Sequence, residues 1–284
     1  MAALLKGAEV ARVLTESLQA EAAALKARGV TPGLAILRVG TRGEDLSYER
    51  AATNRCEKIG IAARRIILPE DVTQERLLAE IEVLNADRAI HGVLMLRPLP
   101  RHLDDARACA SLLPAKDMDG VTGGSMTAVY AGTDNGYPPC TAEACVALLK
   151  HYGIAIRGKR VVVIGRSLVI GRPVSMLLLA EHGTVTICHS ATRNLPEICR
   201  EADILIVATG QAGLIGTQSV RPGQVVLDVG IHANPDGTLC GDVRFDEVEP
   251  VVEAITPVPG GVGTVTTAIL ARHVIAAAKK TLEA

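Results

Sequence analysis

Val161-Val-Val-Ile-Gly165-Arg166-Ser167-Leu-Val-Ile-Gly171-Arg172-Pro173 sets the fold class. Four apolar residues run into a glycine, and a second glycine is followed by Arg172 and by Pro173, a proline suited to a first helical turn. A strand, a glycine turn and a helix start in that order make a phosphate cradle, because amide groups and the positive dipole end at a helix N-terminus attract an anion that glycine allows to come close. The spacing is Gly-x5-Gly, not the usual G-x-G-x-x-G, so the motif taken alone leaves a plain strand-to-helix turn open.

Outward from that turn the pattern repeats. Apolar, β-branched runs at 161–165, 184–188, 204–208 and 225–229 predict central parallel strands. A helix is expected over 142–152, capped by Thr141. The first half reads β-α-β-α-β: strands at 33–39, 61–68 and 92–96, and helices at 44–59, closed by Gly60, and 73–85. Thr73 is the expected N-cap of the latter, with Arg76 where a capping box would want Glu. An amphipathic helix is expected over 1–28, and a closing helix over 267–283 with Ile269, Leu270, Val274, Ile275 and Ala278 in one stripe. The expected fold is α/β in two lobes, each a parallel sheet with flanking helices on both faces. The carboxyl-terminal lobe is Rossmann-like, and a cleft lies between the lobes.

Composition narrows the function. The 284 residues are 48% hydrophobic and 21% charged, as in a globular protein with a sizeable core. Aromatics reach only 2%, with one Phe and no Trp, which argues against a base-stacking platform for nucleic acid. A formal charge of −1 offers no polyanion surface, and no run reaches the roughly 18 apolar residues of a membrane span. The amino terminus reads as an amphipathic helix and not a signal peptide, so the expectation is a cytoplasmic protein with a small-molecule substrate and neither nucleic-acid nor membrane partners. Seven cysteines without a C-x-x-C pair are read as buried thiols. His91 and His102 lack spaced partner ligands, and no metal is expected.

NAD enzymes usually place Asp or Glu about 20 residues beyond the glycine turn to bind the ribose 2′-hydroxyl. Here that place reads Cys188-His189-Ser190-Ala-Thr-Arg193, with no carboxylate. Ser190, Arg193 and Arg166 suit a 2′-phosphate instead, which points to NADP; solvated loop residues are the bland alternative. Pro257-Val-Pro-Gly-Gly-Val-Gly263 can be neither helix nor ordinary strand, and predicts a shaped loop that walls a bound group.

Together with Pro114-Ala-Lys-Asp-Met-Asp-Gly120, Pro139-Cys-Thr141, Asp228-Val-Gly-Ile231, Gly241-Asp-Val243 and Ile255-Thr-Pro-Val-Pro-Gly-Gly-Val-Gly263, these motifs make the chain resemble the bifunctional methylenetetrahydrofolate dehydrogenase/methenyltetrahydrofolate cyclohydrolase family almost end to end. The resemblance implies a folate-binding catalytic domain over 1–140 plus 266–284, an NAD(P)-binding domain over 141–265, and a homodimer. It implies cofactor contacts from Gly165, Arg166, Ser167, Gly171, Arg172, Pro173, Ser190, Arg193 and Ile231. Tyr48 would pack against the pterin face and Asp119 would bind the pterin, and these two are the candidate catalytic residues. Leu96, Pro259, Gly260 and Gly261 complete the expected substrate site. An Asp119 that merely caps a turn before Gly120 is the structural alternative.

The pattern breaks on the substrate side. The family's Val-Gly-x3-Ala-Ser-x2-Tyr-Val-x2-Lys reads Val39-Gly-Thr-Arg-Gly-Glu-Asp-Leu-Ser-Tyr48-Glu-Arg-Ala-Ala52, so Ala52 stands where the cyclohydrolase lysine is expected. A methyl group can neither move a proton nor polarise water. Lys58 lies about 9 Å further along the helix and around it. Arg55 is placed to reach the same face, supplying charge but no base. The family's Gln-Leu-Pro-Leu-Pro reads Leu96-Arg97-Pro-Leu-Pro100, which removes a glutamine amide as well. His91 replaces an aspartate, and Thr264-Val-Thr266 replaces Pro-Met-Thr. The function expected is NADP-dependent oxidation of 5,10-methylenetetrahydrofolate to the methenyl form, with cyclohydrolase activity weak or lost. The alternatives are a dehydrogenase for a different pterin carrier, suggested by Glu44, Asp45 and His91, and a non-catalytic NADP-binding regulatory paralogue.

Overall fold

The computed structural model describes residues 1–282. In chain order its elements are β1 (Ala3–Leu4), α1 (Gly7–Ala27), β2 (Gly33–Val39), α2 (Gly43–Ile59), β3 (Ala62–Leu68), α3 (Gln74–Ala86), β4 (Gly92–Met95), α4 (Asp105–Ser111) and α5 (Gly123–Ala131). There follow α6 (Cys140–His151), β5 (Arg160–Ile164), α7 (Gly171–Ala180), β6 (Thr184–Cys188), α8 (Leu195–Glu201), β7 (Ile204–Val207) and β8 (Val225–Asp228). A short hairpin, β9 (His232–Ala233) and β10 (Leu239–Cys240), then α9 (Phe245–Val248), β11 (Ala254–Ile255) and α10 (Thr266–Lys280) complete the described chain. The chain divides into two compact units: Met1–Arg12 with Thr141–Thr266, and Val13–Cys140 with the chain from Thr267.

The unit built on Val13–Cys140 has a three-stranded parallel sheet in the order β3-β2-β4. Its central strand β2 is buried at every residue, as a near-continuous apolar run demands. The one charge in that strand, Arg38, is buried too, and its Nε donates to Glu49 Oε2 at 2.9 Å on α2. Glu49 belongs to a stripe of buried residues, Asp45, Glu49, Ala52, Cys56 and Ile59, at alternating steps of four and three that keep one helical face against the sheet. Gly60, at φ 93°, ends α2 by donating its amide to Cys56 O at 2.8 Å, a left-handed cap that glycine alone adopts without strain. Strand β3 is an edge strand and mostly exposed.

The other unit has six parallel strands in the order β1-β11-β8-β7-β5-β6. The four apolar runs supply β5 to β8, and the sequence pattern misses β1 and β11, whose two residues each carry no periodicity. Pairing of Ala3 with Ala254 draws the first residues into this sheet, which corrects the start of the helix expected over 1–28. Helix α1 starts only at Gly7. There the amide donates to Gly260 O at 2.8 Å, and a Cβ would meet the Gly261 carbonyl oxygen at 2.1 Å. Helix α6 starts at Cys140 and not after Thr141, because the Cys140 amide is satisfied by the Asp119 carboxylate at 2.9 Å. The closing helix ends at Lys280, and Glu283 lies outside the described residues.

Candidate active site

In the six-stranded unit, the turn after β5 is shaped by backbone contact. Gly165 has φ 132°, and a Cβ there would meet Ala208 O at 2.2 Å; a Cβ on Gly171 would meet Gly165 O at 2.2 Å. The glycines thus close the turn on itself and on the end of β7, which explains a spacing that departs from the common fingerprint. Ser167 Oγ accepts the Ile170 amide at 3.1 Å and so braces the start of α7, where Pro173 is buried and Arg172 exposed.

A cavity of about 520 Å³ opens beside this turn, lined by Gly165, Arg166, Ser167 and Ser190, with Thr209 and Gln211 from the loop after β7. No carboxylate lines it. The Arg166 guanidinium and the Ser190 hydroxyl have no protein partner among the described residues. A polyanion fits that donor set, and the absence of an acidic group fits a phosphorylated ribose better than a free 2′-hydroxyl. Arg193, expected to join them, is exposed and does not line the cavity; the turn at 189–192, closed by Thr192 N to His189 O at 2.8 Å, presents Ser190 instead.

The sequence reading missed the support under the loop after β7. Asp242, fully buried, accepts the amides of Thr209 at 2.5 Å and Gly210 at 3.1 Å, and its other oxygen contacts His232 Nε2 at 2.7 Å. Asp228 accepts the amides of Asp242, Val243 and Gly230. Burial pushes its carboxyl up to about 6 against those hydrogen bonds. Only the Gly-Asp-Val motif hinted at Asp242, and nothing marked His232 as its partner. In the same unit Ile231, Pro259, Gly260 and Gly261 line a second cavity of about 240 Å³, with Ile231 largely exposed.

In the other unit the site is built at the carboxyl edge of β4. The Asp117–Gly120 segment runs beside that strand: Asp117 forms a parallel bridge to Val93, and the Met118 amide donates to Val93 O at 3.2 Å. Gly92 is needed there, since a Cβ would meet Met118 Cγ at 2.3 Å. Asp117 accepts the amides of Val121 and Thr122 at 3.0 and 2.8 Å and closes the turn, leaving Asp119 free of that duty. Asp119 Oδ1 accepts the Cys140 amide. Asp119 keeps part of its surface open, yet its carboxyl group sits deep enough that burial pushes it up from the ordinary carboxylate range, with Cys140 opposing. His273, on α10, donates Nδ1–H to Met118 O at 2.8 Å and stacks at 5.0 Å against Tyr137. No sequence signal marked His273 beyond a polar residue inside an apolar stripe.

Tyr48 is half-buried on α2, one turn before Ala52, whose methyl group is fully enclosed. Arg42, at the start of α2, donates to Pro98 O at 2.8 Å and so ties that helix to the Leu96–Pro100 loop, where Leu96 is buried. Arg55 does not take the place of the missing lysine: its Nη1 donates to Thr15 Oγ1 at 2.6 Å and its Nε to Thr267 Oγ1 at 3.3 Å. His91 is structural. Its Nδ1 accepts the Gly33 amide at 3.0 Å, and burial holds its pKa down. Among the described residues no group of His, Cys, Asp or Glu is arranged to hold a metal, and no helix is long and apolar enough to cross a membrane.

A parallel α/β chain in which a glycine turn borders a carboxylate-free anion pocket defines the class of NAD(P)-binding dehydrogenase folds. Comparison with known proteins is more specific. The family profile described as tetrahydrofolate dehydrogenase/cyclohydrolase, catalytic domain, matches residues 5–119, and that of the NAD(P)-binding domain matches residues 139–282. The bifunctional protein FolD of Carboxydothermus hydrogenoformans is 51% identical, covering 98% of this chain and 97% of its own. The crystal structure of the bifunctional FolD enzyme from Campylobacter jejuni superposes with TM-score 0.96 at 37% identity, covering 99% of this chain and 100% of its own. That of Trypanosoma brucei FolD, complexed with NADP and an inhibitor, gives 0.94 at 36% identity, covering 100% of this chain and 99% of its own. The chain belongs to the tetrahydrofolate dehydrogenase/cyclohydrolase family.

Proposed function

We infer that the chain oxidises 5,10-methylenetetrahydrofolate to the methenyl form with NADP, and that its cyclohydrolase step is weak or lost. The nicotinamide, when bound, supplies the hydride acceptor, so oxidation asks the protein mainly for positioning. Asp119 accepts N–H groups of the pterin edge, the Tyr48 ring packs on the pterin face, and Leu96 gives an apolar wall. Arg166 and Ser190 take the cofactor's 2′-phosphate, with Arg193 as a third donor from the same loop, and Pro259, Gly260 and Gly261 wall the second cavity of that unit. Ser167, Gly171, Arg172, Pro173 and Ile231 shape the rest of the cofactor site.

The observation that carries the loss of the hydrolytic step is Ala52 on the buried stripe of α2, at the position where the family pattern has lysine. Lys116 Nζ is bound to Leu84 O and Asp87 O at 2.8 and 2.7 Å, Lys280 Nζ to Asp134 O at 3.0 Å, and Lys279 Nζ to Glu21 Oε2 at 2.5 Å. Lys58 is exposed in the last turn of α2, and Lys26 sits near Gly60 at that helix's end. Addition of water to the methenyl bridge needs a group that moves a proton, and a guanidinium, held here on two hydroxyls, does not.

Two assays test this reading. Purified protein given 5,10-methylenetetrahydrofolate should gain the methenyl absorbance with NADP, and faster than with NAD; no gain, or a preference for NAD, contradicts it. Ala52→Lys combined with Leu96→Gln should raise 10-formyl product above the unaltered chain, and an unaltered chain already as active as lysine-bearing relatives would refute the loss. The resemblance also supports a homodimer in the cytoplasm, which light scattering on the purified chain and cell fractionation test.

A further inference from the structure

The chain that lost a lysine on α2 carries an arginine, Arg97, where the family's Gln-Leu-Pro-Leu-Pro pattern has leucine. Leu96 is still tied to the sheet through its amide to Leu37 O at 2.9 Å, so Arg97 leaves from the carboxyl end of β4. Its guanidinium is clamped on one side only. Nε donates to Asp105 Oδ1 at 2.8 Å and Nη2 to Asp105 Oδ2, a two-point grip by the first residue of α4. Nη1 has no protein partner among the described residues, and the side chain is 30% exposed.

The Asp117–Gly120 segment meets β4 at a single parallel bridge, Val93–Asp117, with the Met118 amide donating to Val93 O, so Asp119 follows that contact on the side of the strand's carboxyl end, from which Arg97 departs. The hydrogen bond from Asp105 holds the guanidinium firmly cationic against the opposing effect of burial. One edge of one sheet therefore offers an acceptor-only carboxylate, Asp119, and a donor-only guanidinium, Arg97. A ring that presents an amino group, a ring N–H and a carbonyl oxygen in succession matches that order: the N–H groups face the carboxylate and the oxygen faces the cation.

We propose that Arg97 is a specificity-determining residue of the substrate site, its free Nη1 donating to the 4-oxo oxygen of the pterin ring and selecting 4-oxo over 4-amino pteridines. The proposal rests on the reading of Asp119 as the pterin carboxylate. A 4-amino group turns its own N–H toward the guanidinium, and a site built to donate to an oxygen rejects such an analogue by leaving donor against donor.

The test compares two probes on the purified full chain: tetrahydrofolate and its 4-amino-4-deoxy counterpart, by calorimetry. Arg97→Leu should weaken tetrahydrofolate binding about tenfold or more while leaving the 4-amino probe within about twofold, a size set by loss of one charge-assisted hydrogen bond. Arg97→Lys should recover part of the difference, and the KM for methylenetetrahydrofolate should rise more than kcat falls. Asp105→Asn, which loosens the clamp while keeping the cation, should shrink the discrimination less than Arg97→Leu. A purely structural Arg97–Asp105 pair would weaken both probes alike, and that result, or no change in either, overturns the proposal. Methylenetetrahydrofolate oxidation by the unaltered chain with an unchanged probe ratio in Arg97→Leu sinks Arg97 alone; absence of that oxidation sinks the underlying function with it.

Discussion

Two strand-loop-helix joints in this molecule solve the same task by different physics. At β5–α7 the backbone itself is the device: Gly165 and Gly171 pack against carbonyl oxygens so tightly that no side chain fits. At β2–α2 the device is made of side chains: a buried Arg38–Glu49 pair fixes the helix that presents Tyr48 and Ala52. A joint set by glycine tolerates no change of chemistry without loss of shape. A joint set by a distant ion pair lets the chemical positions vary while the helix stays put, and there Ala52 replaces the expected lysine.

The largest expected effect separates the two joints directly. Glu49→Ala leaves Arg38 charged and unpaired in a fully buried strand, and should cost about 3–5 kcal/mol in denaturant unfolding. Replacing both members, Arg38→Met with Glu49→Leu, should cost far less; if the single and the double variant lose equally, the pair does not fix the joint. Next, Gly171→Ala forces a Cβ onto Gly165 O and should cost roughly 1–3 kcal/mol and most NADP affinity. Affinity unchanged in calorimetry would show that the turn has slack and is not backbone-limited.

A smaller effect sharpens the contrast on the substrate side. Asp119→Asn should raise the KM for methylenetetrahydrofolate about 10- to 100-fold, the worth of hydrogen bonds to a charged acceptor, with kcat changing less. Burial raises the Asp119 pKa, so the carboxylate is lost earlier than usual on acidification. KM in the unaltered chain should therefore rise as pH falls through that raised value, and Asp119→Asn should flatten the rise. A KM profile indifferent to the substitution breaks the assignment.

The gentlest effect concerns Asp228, whose folded pKa of about 6 lies above the ordinary carboxylate value. The folded state then binds the extra proton, so this group's contribution is fully present below about pH 4 and declines as pH rises toward 6. Urea unfolding across that window should show Asp228→Asn losing this part of the slope. An unchanged slope would show that the amides of Gly230, Asp242 and Val243 compensate the burial.

What the chain of letters made legible follows the same division. Val161 to Pro173 declared a strand, a turn and a helix because glycine and proline act locally, and the apolar runs of β5 to β8 declared a parallel sheet. Thr73 read as a cap and is one, its Oγ1 accepting the Arg76 amide at 3.2 Å. Strands β1 and β11 were illegible, because two residues hold no period and their pairing joins Ala3 to Ala254 across the chain. The same distance hid the placement of His273 under Met118 O, while the Asp242–His232 contact and the grip of Asp105 on Arg97, each within ten residues, cross turns that no periodicity marks. Ala52 was legible because an absence inside a spaced motif shows in the letters. That Arg55 is occupied by Thr15 and Thr267 was not, since those hydroxyls come from opposite ends of the sequence.

The most direct test of the central claim follows two signals in one reaction of the unaltered chain with 5,10-methylenetetrahydrofolate and NADP: NADPH appearance, and the fate of the methenyl band. A dehydrogenase without its lysine should release NADPH and methenyl-tetrahydrofolate in equal amounts, with the methenyl band then decaying at the rate of buffer alone. Decay that quickens in proportion to protein concentration would contradict the account.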